Sequence, residues 1–411
     1  MSRRLKGNLI VFQSGGPTAV INSSLGGVIS EAFRHDEIVG VFGAVNGVLG
    51  ILNRSIIDLK KEAPSTILAL RKTPSAALGS SRYQVKEGDF TQIIDTLQEY
   101  NIRYVLIIGG NDSMDTANRI LKSSEKRGFE LRIIGIPKTV DNDLLHTDHC
   151  PGYGSIGRWL AISVMDAGKD TEGIYSADPI KIIETMGRDA GWVCATTSLA
   201  KKEEKDAPHL IYFPETVFNL EKFLDDVQTI YKSLGYVVVV VSEGLRGENG
   251  NLIAESIRSV DTDSFGHRQL GGVGQHLADA VSEHLGLKAR FDKPGTIQRS
   301  SMLCASTTDL QEAYLAGKMA VRYSVKGKSG FMVTLERINS HRYQVGIGLI
   351  ELEKVANQIR RFPEEFINEE KNFVTPAFLS YFSPLAGKPL PSYKRLKKYP
   401  VQRPVSDRSS L

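Results

Sequence analysis

Five runs of consecutive apolar residues, each closing on a glycine-bearing turn, set what this 411-residue chain can fold into. They read NLIVFQSGG from Asn8, YVLIIGGND from Tyr104, LRIIGIPKT from Leu131, IKIIETMG from Ile180 and YVVVVVSEG from Tyr236. Side chains along a strand alternate between its faces, so a run that is apolar at successive positions must bury both. A parallel sheet covered by helices on both sides offers that environment. Helix-like stretches at 90–100 and 113–126 fall between the runs, and strands alternating with helices form βαβ units. The expectation is an α/β chain whose binding site lies at the carboxyl ends of the strands, where polar residues and glycines collect.

At about 100–200 residues per domain, the length suggests two or three domains. Boundaries are expected near Pro151–Gly152 and near Pro294–Gly295. They divide the chain into 1–152 plus about 296–350, an inserted unit at 153–295, and an extension at about 351–411. The extension reads as helical with alternating charges, then irregular.

Composition narrows the class. No stretch approaches the roughly 18 apolar residues of a membrane helix. The start runs from basic residues into a short apolar segment and glycines, which reads as a first strand rather than a signal peptide. Three widely spaced cysteines without CxxC pairing argue against a disulfide framework or a zinc site and for a reducing, cytoplasmic setting. The net charge is +4, but the residues from Lys388 onward carry seven Lys/Arg against one acid. The basic character therefore sits in a Pro-rich tail, and neither a nucleic-acid groove nor a membrane partner is expected.

The strand ends carry the chemistry. Ser14-Gly15-Gly16 and Gly109-Gly110-Asn111-Asp112-Ser113 each join a strand to a helix start. Paired glycines let backbone N–H groups approach a phosphate, and a helix N-terminus adds a favourable partial charge. Either turn alone reads equally as structure, with Asp112 or Ser113 capping its helix. After the third run, Lys138-Thr139-Val140-Asp141-Asn142-Asp143 places two carboxylates on one side of an extended segment. Two carboxylates with a lysine upstream suit a base, a Mg²⁺ ligand and a phosphate clamp. Arg82, Arg188 and Arg299, at further turns, add forked donors that match phosphate oxygens. There is no GxxxxGK[ST] and no strand-linked GxGxxG, which excludes the common nucleotide loops.

With these turns stand TDHCPGYGS, MGRDAG, SEG and GTIQR, and the set in this order resembles the phosphofructokinase family over roughly Asn8 to Arg337. The resemblance implies two Rossmann-like three-layer αβα domains, each with a mostly parallel sheet, and an active site in the cleft between them. The unit 1–152 plus 296–350 would bind the phosphoryl donor, and 153–295 the sugar phosphate. It implies phosphoryl transfer to the 1-hydroxyl of fructose 6-phosphate. Asp141 would be the base, with Lys138, Thr139 and Arg188 at the transferred group. Met186, Gly187, Arg188 and Glu243 would contact the sugar, and Arg290 and Arg299 its 6-phosphate. Asp143 and Asp112 would hold Mg²⁺. The assembly would be a homodimer or homotetramer, with some arginines reaching in from a neighbouring subunit.

Two positions bear on the donor. ATP-dependent members resemble GGDG, whereas Asp112 here adds bulk and like charge against a nucleotide α-phosphate. Lys138 replaces the glycine that precedes TIDND in those members, and a lysine there offsets the charge of pyrophosphate. Both point to the pyrophosphate-dependent branch, with Gly15, Gly16, Arg82, Gly110, Asp112 and Lys138 forming the donor pocket and a reversible reaction. Four departures stand beside this. Asn111 occupies the place of a Mg²⁺-linked aspartate, Thr296 that of a histidine, Lys181 lies where an arginine reaches a partner's substrate, and Gly26 and Ser30 replace arginines used for allosteric nucleotides. The alternatives are an ATP-dependent kinase of the same fold and a non-catalytic regulatory subunit.

Overall fold

The computed structural model describes residues 5–253, 272–339 and 342–401. The five apolar runs are strands β1 (Gly7–Gln13), β4 (Ile102–Gly109), β5 (Arg132–Pro137), β6 (Ile180–Thr185) and β8 (Val237–Ser242). Six more complete two sheets: β2 (Ile38–Ala44), β3 (Ile56–Asp58), β7 (Leu210–Tyr212), β9 (Ala289–Asp292), β10 (Phe331–Asn339) and β11 (Gln344–Glu351). The helices are α1 (Ile21–Ala32), α2 (Val48–Leu52), α3 (Pro64–Leu70), α4 (Asp89–Glu99), α5 (Asn111–Lys126) and α6 (Tyr153–Gly173). They continue as α7 (Trp192–Ala195), α8 (Leu220–Leu234), α9 (Val273–Leu285), α10 (Ile297–Ser300), α11 (Thr307–Val325) and α12 (Pro376–Phe382).

The first sheet has the order β11-β10-β5-β4-β1-β2-β3. Its inner strands are parallel, and β3 and β11 close its edges antiparallel to their neighbours. The second, β7-β8-β6-β9, is parallel throughout. Two-sided burial follows directly from the apolar runs. Leu9 and Val11 of β1 enter a core shared with α1 and α11, whereas Ile10 and Phe12 enter the opposite core with α4 and α5. In β8, Val237, Val239 and Val241 face α8 and α9, while Val238 and Val240 face α6 and Trp192. Each such side chain contributes about 1.5–3 kcal/mol on burial, which makes the alternative faces of these strands equally indispensable.

The segment after β11 departs from expectation. It holds two 3-10 turns and the seven-residue α12 in place of a continuous helical pattern. Tertiary packing overrides the local pattern: Phe362, Phe378 and Phe382 are buried around Trp192 in the second sheet's core. The Trp192 ring meets Phe362 edge-on at a centroid distance of 5.0 Å. On the way, residues 355–362 cross from the first core, where Val355 is buried, to the second. Among the described residues no helix is long and apolar enough to cross a membrane. Residues 402–411, the end of the basic tail, lie outside the described residues.

Candidate active site

Turns that follow β1, β4 and β5 on one sheet, and β6 and β8 on the other, line one cavity of about 480 Å³. It brings together Gly15, Gly16, Arg82, Gly110, Asp112, Lys138, Thr139, Asp141, Asp143, Met186, Arg188, Glu243 and Arg299. Residues as far apart in the chain as Ser14 and Ile359 thus meet, most of them in turns that follow parallel strands.

The β1 turn shows why it is glycine. Gly15 has φ +77°, and its N–H donates to the Ser81 carbonyl at 3.1 Å. A Cβ on Gly16 would stand 2.8 Å from Arg299 Nη1, so the arginine lies against bare backbone. Lys138 Nζ donates to the Gly16 carbonyl at 2.9 Å, and the side chain is almost fully buried. Burial, together with the cationic Arg299 and Arg82, lowers Lys138 to about 8 despite Asp141 and Asp143 nearby. Arg299 is likewise lowered by burial and by Arg82. The cavity therefore gathers three cationic side chains around the Gly15-Gly16 turn, suited to a polyanion.

At the other end are carboxylates. Asp141 is pushed up to about 7 by desolvation, by Asp143 and by Glu243. Asp143 and Glu243 are raised mainly by burial too. The loop that carries the pair is held from behind. Asn142, between the two aspartates, has φ +54° and is fully buried. Its Nδ2 donates to Tyr381 Oη at 3.1 Å, and its Oδ1 accepts from the Cys150 N–H at 2.9 Å. The Asp141 N–H donates to Thr139 Oγ1 at 3.1 Å, and the Arg360 N–H donates to the Asp143 carbonyl at 2.8 Å. Opposite, a Cβ on Gly244 would stand 1.8 Å from the Arg188 carbonyl, so glycine next to Glu243 lets the two loops touch. Met186 N–H donates to Gln298 Oε1 at 3.1 Å, which ties the β6 turn to α10.

Two expected residues stand elsewhere. Gly187 is adjacent to the cavity but does not line it; its carbonyl accepts from Ser242 Oγ. Arg290 is not brought into this chain's cavity: it sits on the edge strand β9, where its Nε donates to Asp178 Oδ2 at 2.8 Å. Lys181 is similarly held by Asp292 at 3.1 Å, away from the cavity. Sequence reading missed Asp189, which pairs with Arg246 at 3.0 Å, and Asn357 and Ile359, all of which line the cavity. Among the described residues no group of three His, Cys, Asp or Glu forms a ready-made metal site. Asp112 and Asp143 nonetheless share the cavity, and one or two carboxylates plus substrate phosphates is how Mg²⁺ is commonly held.

The fold and cleft are those of a two-lobed α/β phosphotransferase. Family comparison is in accord: residues 8–323 match the phosphofructokinase family, and the chain belongs to it. A pyrophosphate–fructose 6-phosphate 1-phosphotransferase of Xanthomonas campestris is 38% identical, covering 97% of this chain and 98% of its own. A sulfofructose kinase of Alkalicoccus urumqiensis is 34% identical over 88% of this chain and 92% of its own. The crystal structure of a pyrophosphate-dependent phosphofructokinase from Nitrosospira multiformis superposes with a TM-score of 0.86 at 36% identity, covering 97% and 99% of the two chains. Phosphotransferases of this family generally use a divalent metal.

Proposed function

We propose that the protein transfers a phosphoryl group reversibly from pyrophosphate to the 1-hydroxyl of fructose 6-phosphate, giving fructose 1,6-bisphosphate and phosphate. The observation that carries the donor assignment is Lys138 Nζ, buried against the Gly15-Gly16 turn in the same cavity as Asp112. A lysine there can bind pyrophosphate directly and offset its charge, and Asp112 opposes a third phosphate.

In this reading the Asp141 carboxylate takes the proton from the sugar's 1-hydroxyl. The resulting oxygen attacks phosphorus in line, and the P–O bond to the leaving phosphate breaks. Lys138, Thr139, Arg82 and Arg188 hold the charge that spreads over the transferred group. Gly15, Gly16 and Gly110 present backbone to the donor. Met186, Arg188, Glu243 and Arg299 hold the sugar phosphate, with Gly187 shaping the turn that carries Met186 and Arg188. Mg²⁺, bound by Asp143 and Asp112, would neutralise phosphate charge when present. Arg290, exposed on β9, is suited to the site of a neighbouring subunit in a homodimer or homotetramer. A cytoplasmic setting accords with three free cysteines, two of them buried.

The test compares initial rates on fructose 6-phosphate with Mg-pyrophosphate and with Mg-ATP. Pyrophosphate is expected to dominate; comparable ATP turnover would overturn the donor assignment. Sulfofructose as acceptor in the same assay reads the 6-position, where Thr296 replaces a family histidine.

A further inference from the structure

Beyond the donor cavity, along α5, lies a second cavity of about 240 Å³ bordered by Tyr83, Asp115 and Arg119. The two cavities share only Asp112 and Asn357 among their lining residues. Those two side chains therefore stand on the boundary between them. Asn357 comes from the segment that crosses between the lobes, and that segment is fastened to the N-terminal end of α5. Asn357 Nδ2 donates to Asp115 Oδ1 at 3.2 Å, and Asn111 Nδ2 donates to the Gln358 carbonyl at 3.3 Å. Buried Val355 anchors it upstream, and the Arg360 N–H to Asp143 carbonyl bond anchors it downstream. Asn357 itself is in the left-handed region, with φ +59°.

We propose that Asn357 is a donor-specificity residue, which with Asp112 partitions the phosphate pocket from space that a longer donor would need. This rests on the pyrophosphate reading above. A two-phosphate donor ends at the partition. A tripolyphosphate or a nucleoside triphosphate, bonded onward from its second phosphate, has to pass between the two side chains. The room beyond exists, so what excludes the longer donor is the wall. It follows that removing Asp112 opens half of it.

The experiment compares wild type, Asn357→Gly, Asp112→Gly and the double variant with Mg-pyrophosphate, Mg-tripolyphosphate and Mg-ATP as donors. Glycine suits the positive φ, so the backbone course is retained. Asn357→Ser is the second probe should the glycine variant not fold, judged by its melting temperature. Expected are a gain in kcat/KM for tripolyphosphate of about tenfold in Asn357→Gly. The double variant should exceed Asp112→Gly with ATP by at least about tenfold. A double variant that folds, uses pyrophosphate, and gains nothing over Asp112→Gly refutes the partition alone. A wild type that uses ATP as well as pyrophosphate refutes both the partition and the donor assignment.

Discussion

Neutralising Asp143 while leaving Asp141 in place isolates the proposed base. Asp141 is raised to about 7 by burial first, then by the charges of Asp143 and Glu243. With that value the ionised, proton-accepting fraction rises about tenfold between pH 6 and pH 8, and forward kcat/KM should rise with it. The sign is that of a base: activity is lost as pH falls through about 7. Asp143→Asn removes a neighbouring negative charge. At an effective dielectric of about 20, such a charge in the same buried site is worth on the order of 2 kcal/mol, less where the cleft admits water. The acid limb should therefore move down by about one to two pH units. Asp143 is also a proposed metal ligand, so absolute rates will fall; the position of the limb is what is read. Titration of the substrates themselves is common to both enzymes, and the difference between profiles isolates Asp141. A limb at the same pH in both, or none between about pH 5.5 and 8.5, would refute the reasoning.

Tyr381→Phe removes the hydroxyl that accepts from Asn142 and donates to the Asp148 carbonyl at 2.7 Å. Loss of this brace is worth about 1–2 kcal/mol, and kcat should fall by about tenfold with little change in KM for pyrophosphate; an unchanged kcat rules out a positioning role. His149 is buried between Asp148 at 2.8 Å and Glu312 at 2.7 Å, and these carboxylates outweigh desolvation to push it up to about 9. Its contribution is full below the unfolded value of about 6.5 and is lost as pH rises through about 9. His149→Leu should cost about 3–5 kcal/mol, read as a lower urea midpoint; an unshifted midpoint contradicts it. ADP should not activate the enzyme. A Cβ on Gly26 would lie 3.3 Å from Arg71 Cγ, so the face that carries allosteric arginines in other members is packed against the chain's own α3 region; clear activation by ADP in rate assays disproves this.

The strands that hold the site were legible because their burial is two-sided, which writes itself as a continuous apolar run. β7 has three residues and β9 four, mostly exposed, and neither length nor pattern announces them. Most of the motif residues were legible because they lie immediately after such a run, whereas Arg82 and Arg299 were legible only as arginines in short polar turns. Nothing in the local sequence around Arg290 reveals that Asp178, 112 positions away, holds it on the sheet edge outside this chain's cavity. Asn357 and Ile359 carry no chemical signature; they reach the cavity because Val355 and Phe362 are pinned in different cores. The charged stretch after β11 reads as helix locally, but aromatic burial around Trp192 decides its path.

The route of the C-terminal segment sets a threshold for shortening the chain. Tyr399 is 80% exposed and Val401 93% exposed, whereas Arg395 upstream is partly buried and paired with both Glu172 and Asp206. A stop codon, a protease nick or a fusion partner beyond Arg395 is expected to leave the fold intact, read as an unchanged melting temperature. Leu385 and Phe382, by contrast, are core residues, and Tyr381 and Arg360 touch the loop of the paired aspartates. Cutting a dozen residues further in would open the interior around Trp192 and release the loop of the proposed base together. The shortest form of this chain that keeps its fold is thus set by where the last aromatic cluster ends.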